Sequence, residues 1–180
     1  MVFEPHNQIS RARNTGAAAA TGEWLLFVDA DSTPTPGLFQ DLRNAIEAGD
    51  VLAGGSTIAP VGSIGFRIAI RGWNAISRLT RWAAGAFVFC ERAAFAGLRG
   101  FSEELYASEE LDLFQRLKDL ARTTGKRIVI LHRYPLLTSD RKVRLYSWRE
   151  LLGFMGNFVL RPRRSLRNAA ECQPWYDGRR

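Results

Sequence analysis

The chain has 180 residues, 46% of them apolar, and carries 25 Lys and Arg against 18 Asp and Glu for a formal charge of +7. That length buries a continuous core without disulfide support, and five tryptophans with so much apolar content exclude a disordered chain. The cationic excess excludes a polycationic partner and favours phosphate-bearing ligands, anionic lipid or nucleic acid.

The opening residues, with Glu4, Pro5, His6 and Asn7, read as an irregular lead-in without the basic start and apolar core of a signal peptide. No apolar run is long enough to cross a bilayer, so the expected location is the cytoplasm. Ser10 is a candidate cap for a helix running into an alanine-rich stretch that Gly22 stops. Trp24 to Val28 is continuously apolar and predicts a buried strand of a parallel or mixed sheet. Ser32-Thr33-Pro34-Thr35-Pro36 cannot be a central strand, because proline removes ladder donors.

A helix is predicted from about residue 36 to 48, with Leu38, Leu42, Ala45 and Ile46 on one side and Gly49 ending it. Val51 to Gly55 reads as the next strand. Phe66 to Trp82 predicts a helix in which Arg67, Arg71, Arg78 and Arg81 recur among Ile68, Ile70, Trp73, Ile76, Leu79 and Trp82. Such a basic amphipathic helix suits a membrane surface or the cover of an active site; an ordinary surface helix with arginines over the core edge is the plain alternative. Trp73 and Trp82 suit sugar stacking, although packing in the core or at its edge is the more ordinary role.

Ala86 to Cys90 predicts another strand, in which Cys90 acts as a small buried hydrophobe; Cys90 and Cys172 form no metal spacing or disulfide framework. A short helix over 92–96 follows, then a loop opened by Gly97 and Gly100. Ser108 caps a helix over 109–122, and Ile128 to Leu131 is a late short strand. His132 is a candidate acceptor or metal contact as well as a structural histidine, and residues 138–142 form a loop expected over an acceptor cleft. Residues 143–180 form a helical, basic C-terminal extension, with Trp148, Leu151, Leu152, Met155 and Val159 at helical spacing before Arg161-Pro162-Arg163-Arg164. Alternating short strands and helices define an α/β domain with a mixed sheet flanked by helices.

Two acidic clusters carry candidate chemistry. Asp29 and Asp31 close the apolar strand, and side chains at i and i+2 of an extended strand share a face, where both can grip one divalent cation and the diphosphate bound to it. Strand-end aspartates also serve turns and helix caps. Glu109, Glu110 and Asp112 open a helix, where the free amides and the dipole stabilise acidic residues whatever their chemistry. A carboxylate there that faces a cleft can take a proton from an attacking hydroxyl, and Glu109 and Asp112 share a helix face.

The run Ser10-Arg11-Ala12-Arg13-Asn14-Thr15-Gly16, the run Gly22 to Asp31, Gly85 to Phe89, Gly100-Phe101-Ser102-Glu103 and Glu109-Glu110-Leu111-Asp112-Leu113 together resemble a family 2 glycosyltransferase with the GT-A fold. The resemblance covers roughly residues 7 to 122. It implies a transferase moving a sugar from a nucleotide-diphosphate donor to an acceptor hydroxyl, inverting and dependent on Mg2+ or Mn2+. It implies that Asp31 contacts the metal, with Asp29 near the ribose or diphosphate, and that Arg13 and Asn14 line the nucleotide pocket. Glu110 falls where the family usually carries the aspartate of a Glu-Asp pair acting as base, with Glu109 the alternative. Ser102 stands where aspartate is commoner.

The resemblance also implies a truncated GT-A fold, because the family's Pro-x-x-Asn-Glu strand and the nucleoside-binding elements after it have no counterpart here. The expectation is a single incomplete domain over residues 1–180 with an exposed apolar sheet edge, arising from a shortened coding sequence or a fragment of impaired activity, or covered by a homodimer. Expected partners are a nucleotide-sugar donor, a small-molecule or lipid-linked acceptor, and the inner membrane face through peripheral contact. A partner-dependent binding module is the non-enzymatic alternative. Nucleic acid ranks last, since the basic runs come with no compact recognition motif.

Overall fold

A computed structural model describes residues 1–59, 64–138 and 172. Two compact units emerge: Met1–Ala19 with Phe101–Glu109, and Ala20–Gly100 with the chain from Glu110 through the last described strand. Apart from Cys172, the predicted C-terminal extension and the loop after Thr138 lie outside the described residues.

The second unit holds a five-stranded mixed sheet. Its strands are β1 (Trp24–Val28), β2 (Ser32–Thr33), β3 (Val51–Ile58), β4 (Phe87–Glu91) and β5 (Arg127–Thr138), in the order β1-β4-β3-β5-β2. β3 and β5 run parallel, and the other pairings are antiparallel. β3 is central and buried along nearly its whole length. Its Gly54 and Gly55 admit close neighbours: a Cβ on Gly54 would meet the Val129 carbonyl and the Phe89 ring, and one on Gly55 would meet Ala83.

β1 departs from expectation. Its apolar run predicts a buried strand, yet it ends the order at one side of the sheet, and Leu26 and Val28 are each more than a third exposed. Continuous apolarity therefore did not mean burial on both faces. β2 is a two-residue strand at the other side, the place where a proline-flanked segment can still pair.

β5 is longer than the predicted four residues. Its pairing with β3 is interrupted between Leu131 and Leu136, where Pro135 cannot donate; His132, Arg133 and Tyr134 are exposed there, and pairing then resumes. The proline bulges the strand without ending it.

Helix α2 (Pro36–Glu47) starts as its sequence dictates. Thr35 is extended and its hydroxyl accepts from the Leu38 N–H at 3.2 Å, while Pro36 occupies the first turn, where no donor is required. It lays Leu38 and Leu42 on Val51, Phe87, Phe89 and Leu136, with Trp24, Ala45, Ile46, Val129 and Leu131 around them. Each fully buried side chain of this kind stabilises by about 1.5–3 kcal/mol. On the opposite face of the sheet, Phe27 meets Phe95 of α4 (Arg92–Gly97) at 5.3 Å between rings. Cys90 is fully buried, and burial, with the charge of Glu91 second, pushes its thiol up to about 12. It is the inert core residue its apolar run predicts.

Helix α3 (Ile64–Thr80) is two residues offset from its predicted span, and α5 (Glu109–Thr124) buries Leu113, Phe114, Leu117 and Ala121 as one stripe. In the first unit, α1 (Ile9–Ala19) begins one residue before the expected cap. Ser10 thus lies inside its first turn, and its buried hydroxyl has no hydrogen-bond partner among the described residues. Gln8 takes the terminal position: its carbonyl accepts from the Ala12 N–H, and its side-chain amide donates to the carbonyls of Glu103 and Leu105.

Candidate active site

The first acidic cluster sits on a turn. Asp29 leaves β1 by donating its N–H to the Ala86 carbonyl at 3.1 Å, and its own carbonyl accepts from the Ser32 N–H at 3.0 Å. Asp29 to Ser32 is therefore a closed four-residue turn, which corrects the extended geometry assumed for the two carboxylates. The turn is anchored on both sides, by β1 on β4 and by β2 on β5, where the Ser32 hydroxyl donates to that of Thr138 at 3.1 Å. Asp29 and Asp31 are half-buried.

The second cluster is divided by its partners. Glu109 is buried and accepts from the Arg13 guanidinium at 2.9 Å, with only 5% and 12% of the two side chains exposed. Arg13 also lies over the Phe101 ring, 5.3 Å from its centroid. Asn14 pairs with the main chain of Phe101 as a peptide would, its amide donating to the carbonyl and its side-chain oxygen accepting from the N–H, both at 2.9 Å. Arg13 and Asn14 thus hold the segment after Gly100 within the first unit.

Asp112 accepts from Arg116 one turn along α5, and the same guanidinium donates to the carbonyls of Leu98 and Gly100. Glu110 is half-buried. Before the pair, Ser108 has φ of 60°, a left-handed conformation that a β-carbon disfavours and that differs from the extended geometry of the expected cap.

Sequence reasoning passed over Gln8 and Arg116. The i, i+4 spacing of Asp112 and Arg116 could have revealed the second. No local signal pairs Gln8 with residues almost a hundred positions later. His132 is exposed, with Nδ1 3.3 Å from the Ile130 carbonyl. Trp82 lies under the Lys118 ammonium, 4.7 Å from the ring centroid.

Among the described residues no three His, Cys, Asp or Glu side chains converge into a metal cage. Mg2+ is rarely caged; it is held by one or two carboxylates, with substrate phosphates and water completing the shell. Two carboxylates on a backbone-fixed turn would supply a partial, all-oxygen donor set of the kind a hard divalent cation takes.

The mixed sheet flanked by helices matches the general GT-A architecture. Residues 1–105 match the family described as Glycosyl transferase family 2, more than half of the chain, and the chain belongs to that family. Similar proteins include two from Mycobacterium tuberculosis, strains CDC 1551 / Oshkosh and ATCC 25618 / H37Rv, each described as a pre-mycofactocin glycosyltransferase. Each is 25% identical over 183 aligned positions, covering 87% of this chain and 35% of the relative. The chain therefore spans about a third of the length of these curated relatives.

Proposed function

We propose that this chain binds a nucleotide-diphosphate sugar and transfers the sugar, with inversion, to the hydroxyl of a small-molecule or lipid-linked acceptor. The observation that carries the reading is the Asp29–Asp31 turn, anchored from both sides in a chain of this family. Asp31 holds the metal-diphosphate end of the donor, and Asp29 lies toward the ribose or diphosphate. Mg2+ or Mn2+, when bound, neutralises the departing nucleoside diphosphate. Glu110 takes the proton from the acceptor hydroxyl as it attacks; its position within the family-like Glu-Glu pair supports the role, with Glu109 the alternative. Glu109 then acts as a positioning residue that fixes the start of α5 through Arg13.

Calorimetric titration with UDP and GDP, with and without Mn2+, tests the reading. Metal-dependent binding that Asp31→Ala removes is expected. Absence of binding by the folded chain would overturn it as a statement about this chain alone.

A second reading, a binding module that needs a partner to hold the donor, draws on the engagement of Arg13 and Asn14 with Glu109 and Phe101. Those polar groups were expected to line the nucleotide pocket. Donor binding that appears only after a partner is added would favour it.

A further inference from the structure

Helix α3 presents its apolar side chains outward. Ile64 is 79% exposed, Ile68 65%, Ile76 49% and Leu79 84%. At about 100° per residue these four, with Ala75, span roughly a third of the helix circumference. Arg67, Arg71 and Arg78 form a second stripe directly beside them, within about 40° of one another by the same geometry. All three are exposed, and none has an ion-pair partner among the described residues. The opposite face is the one the protein covers: Ser77 is buried, Trp73 is half-buried, and Asn74 exchanges two hydrogen bonds with the main chain of Ile58. The helix contains no Asp or Glu.

Beside the arginine stripe lies a cavity of about 250 Å³, lined by Thr57, Arg71, Asn74, Arg78, His132 and Pro135. Among the described residues its lining has two guanidiniums, an imidazole and no carboxylate. The bulge of β5 at Pro135 brings His132 to it.

We propose that this face of α3 docks on an anionic phospholipid bilayer, with Ile64, Ile68, Ile76 and Leu79 in the interface and a lipid phosphate between Arg71 and Arg78. An ordinary solvated helix would place its polar residues where these isoleucines are, and an interface with another apolar protein surface would gain nothing from three aligned arginines that have no ion-pair partner among the described residues. An anionic bilayer meets both stripes at once: apolar side chains enter the acyl boundary while the bordering cations stay at headgroup level. No described helix is long and apolar enough to cross a membrane. The proposal does not depend on sugar transfer, and its test does not measure transfer.

The full chain is mixed with vesicles of phosphatidylcholine alone, or of phosphatidylcholine with phosphatidylglycerol, and floated on a density gradient. It should float with the anionic vesicles only. I68D/L79D, which replaces only exposed side chains, should lower the partition coefficient by about a hundredfold or more. R71Q/R78Q should lower it by about thirtyfold. Circular dichroism matching the parent establishes that both variants fold.

Flotation of I68D/L79D equal to the parent would overturn the proposal. So would loss of flotation in R161Q/R163Q/R164Q with α3 intact, which would assign binding to the basic C-terminal run. Unchanged flotation of R71Q/R78Q would overturn the phosphate contact. A dimer in sedimentation that I68D/L79D dissociates, in a chain that never floats, would show that a second copy covers the face.

Discussion

The two acidic clusters contrast in what holds them. Asp29 and Asp31 are placed by main-chain hydrogen bonds of a turn anchored between β1 and β2. Glu109 and Asp112 are each held by an arginine, one pair nearly dry and the other partly solvated. In sequence the clusters look alike, as short runs of carboxylates beside an apolar segment. A carboxylate neutralised by a buried guanidinium contributes to the fold, and removing its partner strands a charge. A carboxylate on a turn whose geometry comes from the backbone can be changed without disturbing that geometry. The clusters should therefore separate stability from donor binding.

The largest effect should come from the buried pair. Arg13→Ala leaves Glu109 without its partner and should destabilise the protein by about 3 kcal/mol in urea unfolding. R13A/E109L, which removes both charges, should recover most of that loss. A loss below the range of an ordinary surface substitution would break the comparison.

Next is Glu110→Gln, which retains shape and removes the base. It should lower transfer by about a hundredfold or more while leaving donor affinity unchanged, read as kcat against donor titration. Equal loss from Glu109→Gln with wild-type stability would move the role to that neighbour. Arg116→Ala gives up the Asp112 ion pair and two carbonyl contacts in a half-exposed setting, and should cost about 2 kcal/mol by the same unfolding assay. The smallest stability effect belongs to Asp31→Ala, within about 0.5 kcal/mol of the parent, although it should abolish metal-dependent nucleotide binding. A large destabilisation there would show that the turn carboxylate, too, holds the fold.

α2 and α5 were legible because their apolar residues recur at helical spacing and their buried stripes match it: Leu38 and Leu42 in one, Phe114, Leu117 and Ala121 in the other. β4 was legible as an unbroken apolar run with both faces covered. The same signal misled for β1, since an edge strand of this sheet and a central one can share a composition. β5 was cut short because Pro135 marks a break in pairing, and sequence alone does not distinguish a bulge from an end. Ser10 and Ser108 each sat at a position where a hydroxyl could cap a helix. Backbone angle and register decided otherwise, by one residue for Ser10 and by a left-handed φ for Ser108.

By itself, the sequence determined the alternation of strands and helices, the two acidic clusters and the amphipathic basic character of α3, because periodicity and local charge are properties of neighbours along the chain. Only the tertiary structure decided that Asp29 to Ser32 is a turn, that Arg13 belongs to Glu109, that Asn14 reads the main chain of Phe101, and that the isoleucines of α3 face outward. Each of these depends on groups brought together from distant positions, or on which side of an element the rest of the chain covers, and neither is encoded in local spacing.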